Sequence, residues 1–342
     1  MRFFALLLSF TVAVVSFAAE MQEKFAADLA ATVANLEKKN AAAVSGVEGW
    51  LFFGGELRLL SLGKFWGSEA GKVSRAHKPD LADPVPAILD FQQQLKARGI
   101  DLVVVPVPPK ASIYPEKIVP GFDGRANDPA PTLHRFYDEL RSAGIDVLDL
   151  TALFLQKRDD PRGPVFCKTD SHWSGFGCWL AAQAIAEKVG AKLAKPGVAS
   201  EYAGEWKEAQ ISGDLDGLLA KDGSKPGPEK IGIHVVSRKT GGAVEPDPNS
   251  PLLLLGDSHT LVYRDFLAER AGLVDQLAFQ LGFAPDLIGT RGSGATPVRI
   301  NLYRRSVKDA GYLAKKKVVV WCFAAREFTE ATEGWAKVPV AK

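Results

Sequence analysis

The chain has 342 residues, of which 46% are hydrophobic, 24% charged and 9% aromatic, a globular balance. With only three cysteines and so large an apolar fraction, disorder, collagen-like repeats and a small disulfide-stapled fold are excluded. Lys plus Arg number 42 against 40 Asp plus Glu, a formal charge of +2, so the basic excess of a nucleic-acid binder is missing and no nucleic acid is expected as a partner.

In chain order, Met1-Arg2 precedes an apolar run over residues 3–17 and then Ala18-Ala19-Glu20. A positive start, a short apolar stretch and small residues at its end read as a secretory leader over 1–18. Cleavage after Ala18 puts Ser16 and Ala18 at the two positions that must be small. The run falls short of the ~20 residues of a comfortable span, so left uncleaved it is a marginal inner-membrane anchor. Residues 19–45 follow as an amphipathic lead-in helix, with Phe25, Leu29, Val33 and Leu36 on one face. One domain is then predicted over 46–330, with a tail at 331–342. An insertion at about 204–251 is rich in Gly, Pro, Lys and Asp, and its one apolar run, residues 231–236, suits a small hairpin.

Within the domain a turn and short aromatic strand lie at 46–53. A helix over 86–98 is stopped by Gly99, and 101–107 is a continuous apolar strand of the kind buried on both faces. Next come a helix over 132–143, a strand over 145–150 and a helix over 172–189. A strand over 252–255 leads into a helix from about residue 260, followed by a strand over 277–281, a helix over 297–308 and a strand over 317–323. Regular alternation of helix and strand means crossover connections, hence an α/β fold with a mostly parallel sheet. The prolines of Val105-Pro106-Val107-Pro108-Pro109-Lys110 make a rigid loop at a strand's carboxyl end, the edge where such sheets bind ligands.

Cys167, Cys178 and Cys322 cannot all pair with one another. Cys167 and Cys178 flank a loop and helix start and can bridge in an oxidising compartment, whereas Cys322 reads as a small buried apolar residue. Adding His172 to the cysteines gives no usual zinc spacing, so no metal is expected.

Two segments carry chemistry: Lys168-Thr169-Asp170-Ser171-His172-Trp173-Ser174 and Gly256-Asp257-Ser258-His259-Thr260. A serine in a tight turn leaving a buried strand exposes its hydroxyl at the sheet edge, with backbone N–H groups aimed at whatever binds there. Ser258 fits that description, although Asp-Ser is also an ordinary helix cap. Of five histidines, His77 and His134 read as structural or solvated, His234 lies in the insertion, and His259 adjoins the serine too closely to serve as its base and lines the pocket instead. His172, with Asp170 two residues earlier, can place one ring nitrogen on a carboxylate and leave the other free.

These residues resemble the alginate O-acetyltransferase family of the AlgJ/AlgX type, exported proteins with an SGNH-hydrolase-like domain. Further similar segments are Gly49-Trp50-Leu51-Phe52 with Glu56-Leu57-Arg58, the Pro-x-Pro-Pro-Lys loop ending at Lys110, and Val320-Trp321 with Arg326-Glu327, so the likeness extends over about 47–328. Asp170, His172 and Ser258 also stand in that group's permuted order, not the order of ordinary SGNH hydrolases. The resemblance implies a three-layer α/β/α fold, Ser258 as nucleophile, His172 as base and Asp170 as its orienter. It implies acetyl transfer to hydroxyls of an exported polysaccharide in the periplasm, with no cofactor. A multi-span membrane acyltransferase would be the acetyl donor, and other polysaccharide-export components further partners. Lys110, His259, Arg291 and Trp173 are candidate substrate contacts. The backbone of Ser258 and of the glycine-rich loop at Gly292 and Gly294 is the candidate oxyanion site. A secreted acetylesterase with the same triad and a non-catalytic polysaccharide-binding scaffold are the alternatives.

Overall fold

The computed structural model describes residues 2–193, 201–219 and 226–342, with side chains from residue 19 onward. The side chains of the expected leader, and its cleavage point, lie outside the described residues. The first helix runs Arg2–Lys39 and buries Phe25, Leu29 and Leu36, the face expected of the lead-in segment. Among the described residues no helix is long and apolar enough to cross a membrane.

Among the described residues nine strands follow in chain order: β1 Ala43–Ser45, β2 Leu51–Phe53, β3 Asp101–Val107, β4 Asp146–Val147, β5 Tyr202–Ile211, β6 Glu229–Arg238, β7 Leu252–Gly256, β8 Asp286–Gly289 and β9 Val318–Ala324. Five of them form one sheet in the order β4-β3-β9-β7-β8, every pairing parallel. The last strand, β9, therefore sits in the middle, pairing β3 on one edge and β7 on the other. Its neighbours explain its composition: all seven residues of β9 are buried, as are the five of β7 and six of the seven in β3. Strands covered on both sides lose the polar alternation of a half-exposed sheet and become the Val/Leu runs seen here. Each such side chain contributes roughly 1.5–3 kcal/mol by leaving water.

The helices over Pro84–Lys96, Pro131–Ser142 and Thr296–Lys308 and the strands β3, β7 and β9 lie close to their predicted positions. Four other predictions are corrected. Residues 277–281 are not a strand but the end of a helix, Leu273–Leu281, whose first six residues are all buried; Gly282, with φ 82°, closes it. The missed strand is β8, just beyond. The helix predicted from about residue 260 is absent: Ser258–Thr260 is a single 3₁₀ turn, and the segment up to Gly272 is irregular, with Tyr263, Leu267 and Arg270 at positive φ. The helix predicted from residue 172 begins at Gly175, since Ser174 Oγ caps it by accepting from Gly177 N at 3.1 Å. His172 is thus left on a loop, and the predicted strand 145–150 contracts to the two residues of β4.

The insertion is more structured than a small hairpin. β5 and β6 pair antiparallel over ten residues each, and Ile231, Ile233 and Val236 of β6 are buried where it meets the helices Gly175–Gly190 and Leu273–Leu281. The predicted tail is also built in: Trp335 and Val340 are buried, and the Trp335 ring lies 5.8 Å from both Trp321 and Phe323. Cys167, Cys178 and Cys322 are all free and buried.

Gly256 ends β7 immediately before the turn that carries Ser258, and a Cβ there would lie 1.8 Å from Cys322 O of β9. Gly256→Ala must push two central strands apart, so it is expected to destabilise the protein by about 2–4 kcal/mol in urea denaturation.

Candidate active site

The residues just past the carboxyl ends of β3 and β7 meet the loop 168–172. Burial of a loop leaves its amide groups needing partners, and this one finds them on four separate segments. Lys110, at the end of the proline loop after β3, is fully buried, and its Nζ donates to the carbonyls of Leu51 (2.9 Å), Lys168 (3.3 Å) and Asp170 (2.6 Å). Leu51 N donates to Lys168 O, closing the same knot from β2. Glu229, at the start of β6, accepts from Lys168 N, Thr169 N and Thr169 Oγ1 at 2.8–3.0 Å. Asp214, just beyond β5, accepts from Ser171 N and Ser171 Oγ, and its own N–H donates to Asp170 Oδ2 at 2.9 Å. This approach requires a glycine before Asp214, because a Cβ on Gly213 would lie 2.0 Å from Thr169 O.

Held in this way, Asp170 Oδ1 lies 2.6 Å from His172 Nδ1 and also accepts from His172 N. With Nδ1–H directed at the carboxylate, Nε2 is left as the acceptor, and it lies 2.8 Å from Ser258 Oγ. Asp170 and His172 are buried, while Ser258 is half-buried at the rim. Burial alone would raise the Asp170 carboxyl. The hydrogen bond and charge of His172, together with the N–H groups of Asp214 and His172, outweigh it and hold the carboxyl at about 2. Ser258 N makes no hydrogen bond within the described residues, which leaves one backbone donor beside Oγ for a developing oxyanion.

Beneath the serine is a second buried histidine–carboxylate pair. Asp257 Oδ1 accepts from His259 N and lies 3.2 Å from His259 Nδ1, while Oδ2 accepts from Ala324 N at 2.7 Å. Burial pushes the Asp257 carboxyl up, but His259, Arg326 and the Ala324 N–H reverse this and bring it to about 2. Burial also pushes the His259 imidazole down, against the pull of Asp257; its ring centroid lies 4.7 Å from that of His172. The side chain is fully buried and turned inward by the 3₁₀ turn, so it does not line an open pocket.

The remaining candidates divide. Lys110 is no substrate contact, since its ammonium is enclosed by three carbonyls. Trp173 is also fully buried: its ring stands edge-on to His259 at 5.2 Å, and its carbonyl accepts from Tyr263 OH. Gly294 N donates to Glu327 Oε2 at 3.2 Å and is not free for an oxyanion. Gly292 is exposed, with φ 87°. Arg291 is exposed beside the site; its guanidinium lies 4.6 Å from the centroid of Phe266, whose ring stands 5.5 Å edge-on to His172. Among the described residues one set, Asp170, His172 and Asp214, has metal-ligating atoms within 4.8 Å of one another. Its carboxylates are already engaged by Nδ1, by backbone N–H groups and by Ser171, as a hydrogen-bond network requires.

Several positioning groups escaped sequence reasoning. Glu229 and Asp214 lie in the insertion, where nothing marks them. Glu56 accepts from Lys110 N and pairs with Arg326 at 2.9 Å, so the separate Glu56, Lys110 and Arg326 segments meet in space. Glu327, which accepts from Ser293 Oγ and Gly294 N, is buried beside Asp257, and desolvation and that charge raise its carboxyl to about 7.

A parallel α/β sheet that carries a serine past the end of one strand, within reach of an imidazole backed by a carboxylate, is the layout of an SGNH-hydrolase-like domain. Comparison with known proteins agrees: the family described as "SGNH hydrolase-like domain, acetyltransferase AlgX" matches residues 43–324. The chain belongs to this family. The probable alginate O-acetylase AlgJ of Pseudomonas aeruginosa is 32% identical over 154 residues, covering 44% of this chain and 32% of that protein. Its Pseudomonas putida counterpart is 28% identical over 257 residues, covering 72% and 63%. The match thus takes in less than two thirds of either relative's length. Among solved structures, the O-acetyltransferase domain of Pseudomonas putida AlgJ superposes with a TM-score of 0.62 at 25% identity, covering 84% of this chain and 92% of that one.

Two predictions follow from this geometry. Lys110→Met takes the Nζ donor from the buried carbonyls of Leu51 and Asp170, while Lys168 O keeps Leu51 N, and a loss of about 3–5 kcal/mol is expected in equilibrium unfolding. The pH dependence of stability has two limbs. Asp170 and Asp257, lowered from 3.8 to about 2, stabilise the fold above pH 3.8, and that contribution is lost as pH falls toward 2. Glu327, raised from 4.5 to about 7, binds its proton more tightly in the folded state, so stability declines as pH rises from 4.5 to 7. Glu327→Gln removes that decline, and its Tm relative to the parent should be higher at pH 8 than at pH 5.

Proposed function

We propose that the protein is an O-acetyltransferase acting on an exported polysaccharide, with Ser258 as nucleophile, His172 as general base and Asp170 as its orienter. The observation that carries this reading is the continuous path Asp170 Oδ1, His172 Nδ1, His172 Nε2, Ser258 Oγ, with contacts of 2.6 and 2.8 Å. His172 Nε2 takes the hydroxyl proton as Ser258 Oγ bonds to the acetyl carbonyl carbon. The bond to the donor's leaving group then breaks, and that group receives the proton from Nε2. In the second half an acceptor hydroxyl gives its proton to Nε2, its oxygen bonds to the acetyl carbon, and Ser258 Oγ departs with the proton. The free N–H of Ser258 faces the oxyanion in both halves, and a donor of this kind is worth roughly 3 kcal/mol to the transition state.

Names carried by the relatives support an alginate-like acceptor. Arg291, exposed on the rim over Phe266, is assigned to the acceptor side. The leader read from residues 1–18 supports a periplasmic setting, where a membrane acyltransferase supplies the acetyl group and other export components hand on the polymer.

Ser258→Ala is expected to lower acetyl transfer to bare polysaccharide by roughly 10³-fold or more, with His172→Ala comparable and Asp170→Asn less severe. Acetylation left unchanged in Ser258→Ala would remove the catalytic reading and leave a scaffold. Acetate release with no transfer, in the presence of ample acceptor, would turn the assignment to an esterase.

A further inference from the structure

Trp206 of β5 is the most exposed large apolar side chain among the described residues, at 40%. A lone exposed aromatic needs no explanation, but this one belongs to a group. Half-buried Trp179 stands edge-on to it at 5.8 Å, Phe176 lies 6.3 Å away, and His234 underlies it at 5.3 Å. Arg162 covers Phe176 and Trp179 at 4.4 and 5.0 Å, with its charge matched by Asp160. The surrounding charges cancel in pairs: Lys207 with Glu205 at 2.6 Å, and Lys230 with Glu208 at 2.7 Å. An apolar centre inside a polar rim marks an interaction surface. Here the rim carries matched charge and the centre is two indoles at a steep angle. Electron-rich ring faces suit the C–H faces of a sugar ring, while its hydroxyls meet the charged rim.

Position points the same way. The helix Gly175–Gly190 begins three residues after His172, and Trp179 is its fifth residue, roughly 8 Å along the axis from the cap at Ser174. The ribbon starts from the same loop: Glu229 of β6 holds Lys168 and Thr169, and His234, the register partner of Trp206, lies five residues on, about 17 Å along the strand. Both elements that carry the indoles are therefore anchored at the triad loop and extend away from it.

We propose that Trp179 and Trp206 form a second glycan-binding platform, which holds the polysaccharide at a distance from Ser258 while another part of the same polymer occupies the site. The occupant follows from the function proposed above; the platform's test reads binding and does not depend on acyl transfer. The full chain is titrated, by calorimetry and intrinsic fluorescence, with bare alginate oligosaccharides and with cello-oligosaccharides of equal length. Trp206→Ala should weaken binding of at least one of these by about tenfold, and Trp206→Phe should recover most of the loss. Turnover of 4-nitrophenyl acetate and the Tm should match the parent in both variants. Unchanged affinity in Trp206→Ala overturns the proposal. So does a parent that binds neither glycan, or an affinity loss accompanied by an equal loss of small-ester turnover or a fall in Tm. Small-ester turnover that persists in Ser258→Ala sinks the catalytic reading instead and leaves the binding result standing.

Discussion

The site depends on the satisfaction of one buried loop. Residues 168–172 carry Asp170 and His172, yet they form neither helix nor sheet, so their backbone groups have no regular partners. Lys110 supplies three donors to carbonyls, Glu229 and Asp214 take up the N–H groups, and Leu51 completes the set. Each contact is modest in net energy, but losing any one strands a buried polar group, which is the costly direction of that balance. Burial lowers the affinity of the Lys110 ammonium for its proton, and the nearby carboxylates, Glu56 first, oppose this. The lysine lies within the foundation of the site and not in its binding surface.

This arrangement explains why an insertion off the main sheet is tied to the chemistry. β5 and β6 add nothing to the five-stranded sheet, but the ends of the ribbon bring in Asp214 and Glu229, the two carboxylates that grip the loop. A second layer lies under Ser258, where Asp257 accepts from Ala324 N and so ties the serine turn to the end of β9. Tyr263 sits at φ 63°, a conformation costly for so bulky a residue, and its hydroxyl donates to Trp173 O next to His172. Strain in the segment after Ser258 is thus compensated by a contact to the segment that carries His172.

What could be read from the sequence follows the strength of the local signal. The buried strands declared themselves through unbroken Val/Leu runs, and the helices Pro84–Lys96, Pro131–Ser142 and Thr296–Lys308 through spacing and punctuation. Residues 277–281 misled because a short apolar run has no period of its own; only the burial of Leu273 and Val274 one turn earlier resolves it as helix. The pairing of Asp170 with His172 was legible because it is local. The approach of Ser258 rested on fold type and resemblance, since 86 residues separate it from His172. Asp214 and Glu229 were invisible for a different reason: they grip the loop through its backbone N–H groups, which leave no trace in residue identity. Lys110 stood out at its strand end, but its neighbours there turned out to be carbonyls instead of substrate.

The central place of β9 has a consequence for both the sheet and the site. Without β9, the β3–β4 and β7–β8 pairs share no hydrogen-bonded edge, and Asp257 loses the amide of Ala324 that holds the Ser258 turn. Joining the two halves of the sheet and fixing that turn are therefore the work of one strand, so a change that loosens β9 is felt at both at once.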